Sequence, residues 1–268
     1  MACNTVDRAM EVYAQMKDAG HKVMLLHSRF TYGDRDEKER KLMHNLKDYD
    51  FVVATQVVEV SLDVSFESIL TEPATLDALI QRFGRVNRRG FGNPRDVYIL
   101  TEGSENDDKI YNPYKIVEKS IKILEDFNGE PLWESKIPEL ISDAYSPASE
   151  KLEKEVVNCW ETAKDLFSDL KPLGHGEDES QFYEMFQGLE VVPSKFEGKV
   201  TELIDKGKGI EVQKYLVPLP YWKYYAIINN FGEVFNHSKV KNKGFIVANL
   251  KYSKELGLLN EPSETEIV

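Results

Sequence analysis

Leu-Ile-Gln-Arg-Phe-Gly-Arg-Val-Asn-Arg-Arg-Gly occupies residues 79–90 and places four arginines within eight residues of an otherwise acidic chain. The apolar spacing predicts a helix over residues 77–86. On such a helix Arg85 and Arg88 lie three residues apart and share a face, and Gln81 lies on the same side. Two guanidinium groups on one face can hold a polyphosphate, because each one forks onto phosphate oxygens. A basic helix end facing solvent is the alternative interpretation.

A second polar segment begins where a buried strand is expected to end. Val-Ala-Thr-Gln-Val-Val-Glu-Val-Ser-Leu-Asp occupies residues 53–63. The strand ends near Ala54, Thr55 and Gln56 follow at once, and Asp63 lies in a later turn. In open α/β sheets ligands bind beyond the carboxyl ends of the strands, so these side chains are candidates for a binding crevice. An ordinary strand-to-helix loop explains the polarity equally well.

The first hundred residues alternate between helix and strand patterns, which predicts an α/β fold with a parallel sheet. One helix is expected to follow a cap at Asn4 or Thr5 and to end at Gly20. Another is expected to open at Gly33-Asp34, with Glu37 completing a pair that resembles a capping box. Strands are expected at residues 22–27, 51–54, 69–70 and 97–100. The first helix starts so close to Met1 that no strand is expected before it, so the sequence is expected to be truncated at its N-terminus.

The later residues change in character. Helical patterns cover residues 107–127 and 151–167, and Pro172 with the glycines and acidic residues up to 179 predicts a linker. Beyond the linker the pattern favours strands, at residues 190–192, 210–212, 224–228 and 244–247. Aromatic residues concentrated here could stack single-stranded bases, or more simply form a β-domain core or an interface: Tyr215, Tyr221, Trp222, Tyr224, Tyr225, Phe231 and Phe235.

Composition limits the possible functions. The 268 residues are 41% hydrophobic and 30% charged, which is typical of a globular protein. Two cysteines, Cys3 and Cys159, exclude a disulfide framework and fit a reducing cytoplasm. The net charge is −12, yet residues 1–103 hold 14 basic against 16 acidic side chains, so most of the excess lies later. Nucleic acid would therefore have to bind at a local basic site, and the N-terminal part is the better candidate.

The two chemistry-bearing segments resemble motifs V and VI of superfamily-2 helicases. The residues of these motifs are similar to those of the signature helicase–nuclease of type I CRISPR–Cas systems: Ala54-Thr55-Gln56, Glu59, Ser61-Leu62-Asp63, Asp77 and residues 81–88. Leu26 to Phe30 with Asp34-Arg35, and Asn4 to Ala9, also resemble motifs of that family. The resemblance covers residues 3–103. It is weaker at residues 140–147, 186–193 and 256–259.

The resemblance implies a RecA-like parallel sheet with helices on both faces over residues 3–103. A helical connector at 104–172 and a small, β-rich C-terminal accessory domain at 181–268 would follow. In such helicases ATP lies between two lobes, and the second lobe supplies arginine fingers. The matching positions are catalytic Arg85 and Arg88, with Asp63 and Gln81 also binding ATP. Positions matching contacts to a nucleic-acid backbone are Ser28, Arg29, Thr55 and Gln56.

The implied activity is ATP-driven 3′-to-5′ translocation on single-stranded DNA during CRISPR interference. The implied partners are a first lobe, a nuclease domain and a CRISPR surveillance complex, in the cytoplasm and without a membrane. The resemblance implies that the first lobe brings the phosphate-binding loop and the acidic residues that hold magnesium. The sequence itself has no Gly-x-x-x-x-Gly-Lys-Ser/Thr loop. The nuclease domain of the resembled family holds its metal ions with His-Asp pairs. None of the five histidines in this sequence is followed by an aspartate, so no metal site is expected in these residues. The chain alone is expected not to hydrolyse ATP. Two alternative functions remain open. The chain could be a lobe of another superfamily-2 DNA or RNA helicase, or it could be a stand-alone interaction module.

Overall fold

The chain forms two compact units. A computed structural model describes residues 1–60, 63–90, 92–101, 111, 115–146, 148–169, 188–241 and 243–263. The first unit comprises Met1–Met24 and Asn45–Asp169, and the second comprises Leu25–His44 and Leu170–Val268. The boundaries 3–103, 104–172 and 181–268 stay a prediction. The predicted linker at 172–179 lies outside the described residues.

The described part of residues 1–103 contains four short strands. They are β1 (Val23–Leu26), β2 (Phe51–Ala54), β3 (Ile69–Thr71) and β4 (Val97–Ile99). β1 lies beside β2, and β3 pairs in parallel with β4. All four agree with the strands expected from the sequence to within two residues. The parallel pairing confirms the predicted α/β class.

The expectation that no strand could precede the first helix is wrong. Ala2 forms parallel bridges to both Ala54 and Thr71, so the first residues lie between β2 and β3. The Ala2 amide donates to the Leu70 carbonyl at 2.8 Å, and the Cys3 amide donates to the Ala54 carbonyl at 2.8 Å. Met1 to Cys3 therefore occupy the position of the strand that precedes the helix in a βαβ unit.

The described residues of the first unit form six α-helices: α1 (Val6–Asp18), α3 (Val57–Val60), α4 (Leu76–Phe83), α5 (Ile116–Glu125), α6 (Ile137–Tyr145) and α7 (Ser149–Asp169). The predicted cap of α1 is confirmed, since the Thr5 side chain accepts from the Arg8 amide. Gly20 follows the helix at φ +89°, a left-handed conformation that glycine adopts without steric cost. The core of this unit packs α4, α5 and α6 together through Leu76, Leu79, Leu124 and Ala144.

Helix α2 (Tyr32–Asn45) begins one residue earlier than expected and uses a different cap. Thr31 Oγ1 accepts from the Asp34 amide at 3.2 Å. Glu37 instead pairs with Lys41 at 2.7 Å one turn later, so the expected capping-box pair is wrong. A threonine just before the helix supplies the acceptor that the free N-terminal amides require.

The second unit contains a mixed sheet and a hairpin. β5 (Gly188–Pro193) pairs antiparallel with β6 (Val217–Pro220) and parallel with β8 (Lys243–Ala248), which pairs antiparallel with β7 (Phe235–Val240). β9 (Leu250–Ser253) and β10 (Gly257–Pro262) form an antiparallel pair. Helices α8 (Glu197–Asp205), α9 (Gly209–Val212) and α10 (Tyr221–Phe231) complete the described part. The expected strands at 190–192 and 244–247 are confirmed.

Two expected strands of this unit are helices. Residues 210–212 are Ile-Glu-Val and fall in α9. A segment of three residues is too short for its apolar spacing to distinguish helix from strand. Residues 224–228 fall in α10, which starts directly after Pro220. Tyr224 and Ile227 are three residues apart, and both pack on the core of Val191, Val217 and Leu219. The same helix leaves Trp222, Tyr225 and Phe231 exposed, so the aromatic residues do not form one shared core.

No helix in the described ranges is long and apolar enough to cross a membrane. The described residues also contain no group of three or more histidine, cysteine, aspartate or glutamate side chains that could hold a metal ion.

Candidate functional site

Arg82 is the centre of a buried polar cluster in the first unit, and its side chain is 0% exposed. Its Nε donates to Glu59 Oε1 at 2.9 Å. Nη1 donates to Thr71 Oγ1 at 2.7 Å and to the Glu72 carbonyl at 3.2 Å. Nη2 donates to Asn4 Oδ1 at 3.1 Å and to the Tyr111 hydroxyl. A guanidinium has five N–H groups, and these five acceptors match them one for one.

This cluster joins segments that are far apart in sequence. Asn4 precedes α1, Glu59 lies on α3, Thr71 ends β3, and Arg82 lies on α4. Burial raises the pKa of the Glu59 carboxyl, and the hydrogen bond and charge of Arg82 oppose that rise. Arg82 therefore fixes the ends of β3 and three helices relative to one another, with no N–H group left for a phosphate.

Arg85 lies beside this cluster and is also largely buried. Its Nη2 donates to the backbone carbonyl of Glu59. The same short helix α3 thus receives Arg82 on a carboxylate and Arg85 on a main-chain oxygen. In this arrangement Arg85 is held close to the polypeptide segment that contains the 53–63 motif.

Arg88 and Asp63 come together although 25 positions separate them in sequence. Arg88 Nε lies 2.9 Å from Asp63 Oδ1, with side chains 40% and 81% exposed. The Arg88 amide also donates to Ser65 Oγ at 3.0 Å. These two residues, both predicted to bind ATP, therefore form one solvent-facing polar pair. Ser61 and Leu62 of the same motif lie outside the described residues.

The helix predicted over 77–86 is too long, and Arg85 and Arg88 do not share a helical face. α4 ends at Phe83, and Gly84 caps it. The chain then bridges in parallel to Phe66, whose amide donates to the Arg85 carbonyl at 2.8 Å. Asn87 takes a left-handed conformation at φ 46°. This pairing and turn redirect the chain, so Arg88 faces solvent while Arg85 is buried.

The other predicted site residues of the first unit lie at different depths. Gln81 is exposed on α4. Thr55 is buried directly after β2. Gln56 is partly buried, and its Nε2 donates to the Asn4 carbonyl at 3.0 Å and the Tyr111 hydroxyl at 3.4 Å. Gln56 therefore touches the residues that also hold Arg82.

Ser28 and Arg29 belong to the second unit, in the loop between β1 and α2. Ser28 is partly exposed, whereas Arg29 is 8% exposed. The Arg29 amide donates to Nδ1 of the buried His27, whose ring stacks on Phe30 with centroids 4.4 Å apart. The loop is thus shaped by its own aromatic neighbours.

Sequence reasoning did not single out Asn4, Arg82 or Tyr111 as members of the site. Both Asn4 and Arg82 lie in the quoted motifs, but Asn4 was expected only as a helix cap and Arg82 was given no role of its own. Arg82 could have been separated from Arg85 by its position on the apolar side of α4, since Ala78, Leu79 and Arg82 share that side at helical spacing. Tyr111 gave no sequence signal, because its hydrogen-bond partners Gln56 and Arg82 come from two distant segments.

Comparisons with known proteins agree with the N-terminal motifs. The family described as "CRISPR-associated nuclease/helicase Cas3, C-terminal" matches residues 1–90. A putative CRISPR-associated nuclease/helicase Cas3 from Methanocaldococcus jannaschii is 27% identical over 280 residues, covering 95% of this chain and 36% of the relative. CRISPR-associated endonuclease/helicase Cas3 from Escherichia coli is 33% identical over 151 residues, covering 50% of this chain and 17% of the relative.

Solved structures share the fold. A crystal structure of a CRISPR-associated protein matches with a TM-score of 0.63 and 16% identity, covering 96% of this chain and 38% of that one. T. fusca Cas3 with ATP matches with a TM-score of 0.56 and 20% identity over 82% of this chain and 31% of that one. A CRISPR RNA-guided surveillance complex before nicking contains a chain that matches with a TM-score of 0.54 and 20% identity, covering 81% of this chain and 33% of that one.

By fold, the chain is an α/β protein of the kind seen in these CRISPR-associated structures. By sequence, it resembles the C-terminal part of the Cas3 nuclease/helicases. The chain spans about a third of the length of the M. jannaschii relative and about a sixth of that of the E. coli relative.

Proposed function

We propose that this chain is the C-terminal helicase portion of an ATP-dependent single-stranded DNA translocase that acts in CRISPR interference. In this proposal it supplies Arg85 and Arg88 to an ATP pocket, and the phosphate loop and magnesium ligands come from a first RecA-like lobe. The resemblance to the C-terminal part of Cas3 supports the placement, and the matching structures include T. fusca Cas3 with ATP, AMPPNP and ADP.

The observation that carries the proposal is the pairing of Asp63 with Arg88. The helicase resemblance puts both side chains in one nucleotide pocket, and the contact of 2.9 Å between them is independent of that resemblance. The pair is solvent-facing, so a nucleotide could reach it without breaking the buried cluster around Arg82. In the proposed pocket Asp63 faces the ribose hydroxyls, and Gln81 contacts the γ-phosphate or the attacking water.

Arg85 and Arg88 would act by stabilising charge. As the terminal phosphoryl group transfers, negative charge spreads over its oxygens, and a guanidinium placed there lowers the barrier. An arginine finger of this kind contributes about 10³–10⁵ in rate, which corresponds to about 4–7 kcal/mol. Arg85 would exchange the Glu59 carbonyl for a phosphate oxygen, a stronger, charge-assisted acceptor.

The nucleic-acid contacts in this proposal are to the backbone. Ser28, Arg29, Thr55 and Gln56 would hold phosphates and sugars, which carry no sequence information and suit a motor that moves on any sequence. The polarity of movement, 3′ to 5′, follows from the helicase resemblance. A matching chain in a surveillance complex supports that kind of complex as the partner.

The test uses the complete helicase, in which this chain is combined with the first RecA-like lobe. Arg85→Ala and Arg88→Ala are compared with Arg89→Ala, a matched control that removes an exposed arginine one residue further along. Phosphate release is measured with a poly-dT strand, and strand binding is measured separately by fluorescence anisotropy. Arg85→Ala and Arg88→Ala should each lower turnover by about a thousandfold or more, with strand binding unchanged within about threefold.

Wild-type turnover in both Arg85→Ala and Arg88→Ala would refute the finger assignment. A loss of similar size in Arg89→Ala would show that the local basic charge matters and not the two named side chains. Repeating the assay with a poly-rU strand distinguishes the rival helicase class, since stronger stimulation by RNA would favour an RNA motor. An isolated chain that hydrolyses ATP on its own would contradict the dependence on a first lobe.

A further inference from the structure

The loop that carries Ser28 and Arg29 is held by the start of β10. The Leu258 amide donates to the Arg29 carbonyl at 2.8 Å. Gly257, one residue earlier, has φ +73° and lies directly against the same peptide. Both groups belong to the second compact unit, so the contact is internal to it.

The approach at Gly257 leaves no space for a side chain. A Cβ atom there would lie 2.7 Å from the Arg29 carbonyl oxygen, 3.0 Å from the Arg29 carbonyl carbon and 2.9 Å from His27 Cε1. Distances below 3.0 Å to backbone atoms cannot be relieved by turning a flexible side chain. The glycine is therefore required by position as well as by its φ angle.

The far side of the loop is held by β9. The Tyr252 hydroxyl accepts from the Thr31 amide at 3.0 Å and donates to Asp34 Oδ2 at 2.6 Å. Lys254 extends the same contact, with Nζ 3.5 Å from Asp34 Oδ1 and 3.4 Å from Glu37 Oε2. Loop residues 27–31 are thus fixed at one end by β10 and at the other by β9.

We propose that the β9–β10 hairpin sets the geometry with which the Ser28–Arg29 loop grips a nucleic-acid backbone, and that Gly257 is the positioning residue of this arrangement. The inference rests on the proposed function of the loop and adds a task for the C-terminal residues. Gly257 touches no nucleic acid itself. It lets β10 approach closely enough for the Leu258 amide to hold the Arg29 carbonyl, which fixes the direction of the Ser28 hydroxyl.

The experiment uses the complete helicase and a poly-dT strand. Gly257→Ala should raise the strand concentration that half-stimulates ATP hydrolysis by about tenfold, because misplaced polar contacts to a charged backbone are lost. Turnover at saturating strand should stay within about twofold of wild type, since Arg85 and Arg88 lie in the other unit. A general structural defect would instead lower turnover at saturating strand as well.

Gly207→Ala is the matched control. Gly207 has φ +72°, and no atom lies within 4 Å of a Cβ placed there. Alanine therefore meets the same backbone strain at both positions, but only at 257 does it push on the loop. Gly207→Ala should leave the half-stimulating strand concentration unchanged within about twofold.

A double-variant cycle connects Gly257 to the loop. Ser28→Ala should weaken strand binding by about tenfold. If Gly257 acts through this loop, the combined variant should remain about tenfold weaker than wild type, whereas independent effects would multiply to about a hundredfold. Multiplying effects would overturn the positioning role.

Tyr252→Phe keeps the test decisive if Gly257→Ala does not fold. It removes only the hydroxyl that binds Thr31 and Asp34, and it should also raise the half-stimulating strand concentration, by about threefold or more. A folded variant at 257, or the phenylalanine variant, that responds to poly-dT like wild type would overturn the inference. A wild-type enzyme that no strand stimulates would instead refute the proposed function.

Discussion

Arg82 and Glu59 form an ion pair in the interior of the first unit, with Arg82 Nε 2.9 Å from Glu59 Oε1 and the arginine side chain fully buried. Removing a charge from water costs several kcal/mol, which the ion pair alone does not recover. Here four further acceptors complete the guanidinium shell, so its positive charge is neutralised and every N–H group is bonded. The arginine in the middle of the motif therefore holds the first unit together.

Arg82→Ala should destabilise the chain by about 3–5 kcal/mol, because it leaves the partly buried Glu59 carboxylate and several other acceptors without a donor. Arg82→Lys should recover little, since an ammonium has three donors and cannot match five acceptors in a planar fork. Urea unfolding followed by circular dichroism measures both losses. Arg89→Ala, at an exposed position, should stay within about 0.5 kcal/mol of wild type. A loss below about 1 kcal/mol in Arg82→Ala would contradict this account.

Cys3 should make the stability depend on alkaline pH. Burial, together with the charge of Glu72, raises the pKa of its thiol from 9.0 to about 12. The folded chain therefore binds this proton more tightly than the unfolded chain. The stabilising contribution is complete below pH 9 and is lost as pH rises towards 12, by about 1.4 kcal/mol per pH unit.

The difference between wild type and Cys3→Ala isolates this effect from other titrations. Between pH 8 and pH 11 the free energy of unfolding should fall less in the Cys3→Ala variant than in wild type. Cys159 is exposed and Cys3 is buried, so iodoacetamide at pH 8 should modify one thiol in the folded chain and two in urea. Rapid modification of Cys3 in the folded chain would contradict the burial of its thiol.

The α/β class could be predicted from sequence because its signals are local. Strands of three to six residues and helices with apolar stripes are encoded within single segments, as at Val23–Leu26 and Leu76–Phe83. The parallel bridging at Ala2 could not be predicted, because the three residues Met1–Cys3 carry no measurable period. Its existence depends on Ala54 and Thr71, which are distant in sequence and become neighbours only in the sheet.

The candidate site was predictable as a motif but not as a geometry. Four arginines in eight residues mark this segment in the sequence, yet the pattern alone does not say which one is buried. That choice depends on Asn4, Glu59 and Thr71, whose positions are set by other elements. Likewise, helical spacing put Arg85 and Arg88 on one face, whereas the bridge from Phe66 to Val86 ends the helical path first.

Gly33 and Gly198 offer a matched comparison, since each is the second residue of a helix. A Cβ at Gly33 would lie 2.8 Å from the Lys214 carbonyl oxygen, while one at Gly198 meets nothing within 4 Å. Gly33→Ala should destabilise the chain by about 1–3 kcal/mol through overpacking. Gly198→Ala should stabilise it by up to about 1 kcal/mol, because alanine loses less backbone entropy in a helix. Thermal and urea unfolding measure both signs, and equal effects at the two positions would contradict the close approach at Gly33.

Arg88 allows stability and activity to be separated. Its ion pair with Asp63 is largely exposed, and such pairs contribute about 0–1 kcal/mol to folding. Arg88→Ala and Asp63→Asn should therefore unfold within about 1 kcal/mol of wild type in urea. In the complete helicase Arg88→Ala should still lower DNA-stimulated ATP hydrolysis by about a thousandfold, whereas Asp63→Asn should mainly raise the KM for ATP. A large stability loss in Arg88→Ala would assign the residue to the fold, because its effect on turnover would then follow from unfolding alone.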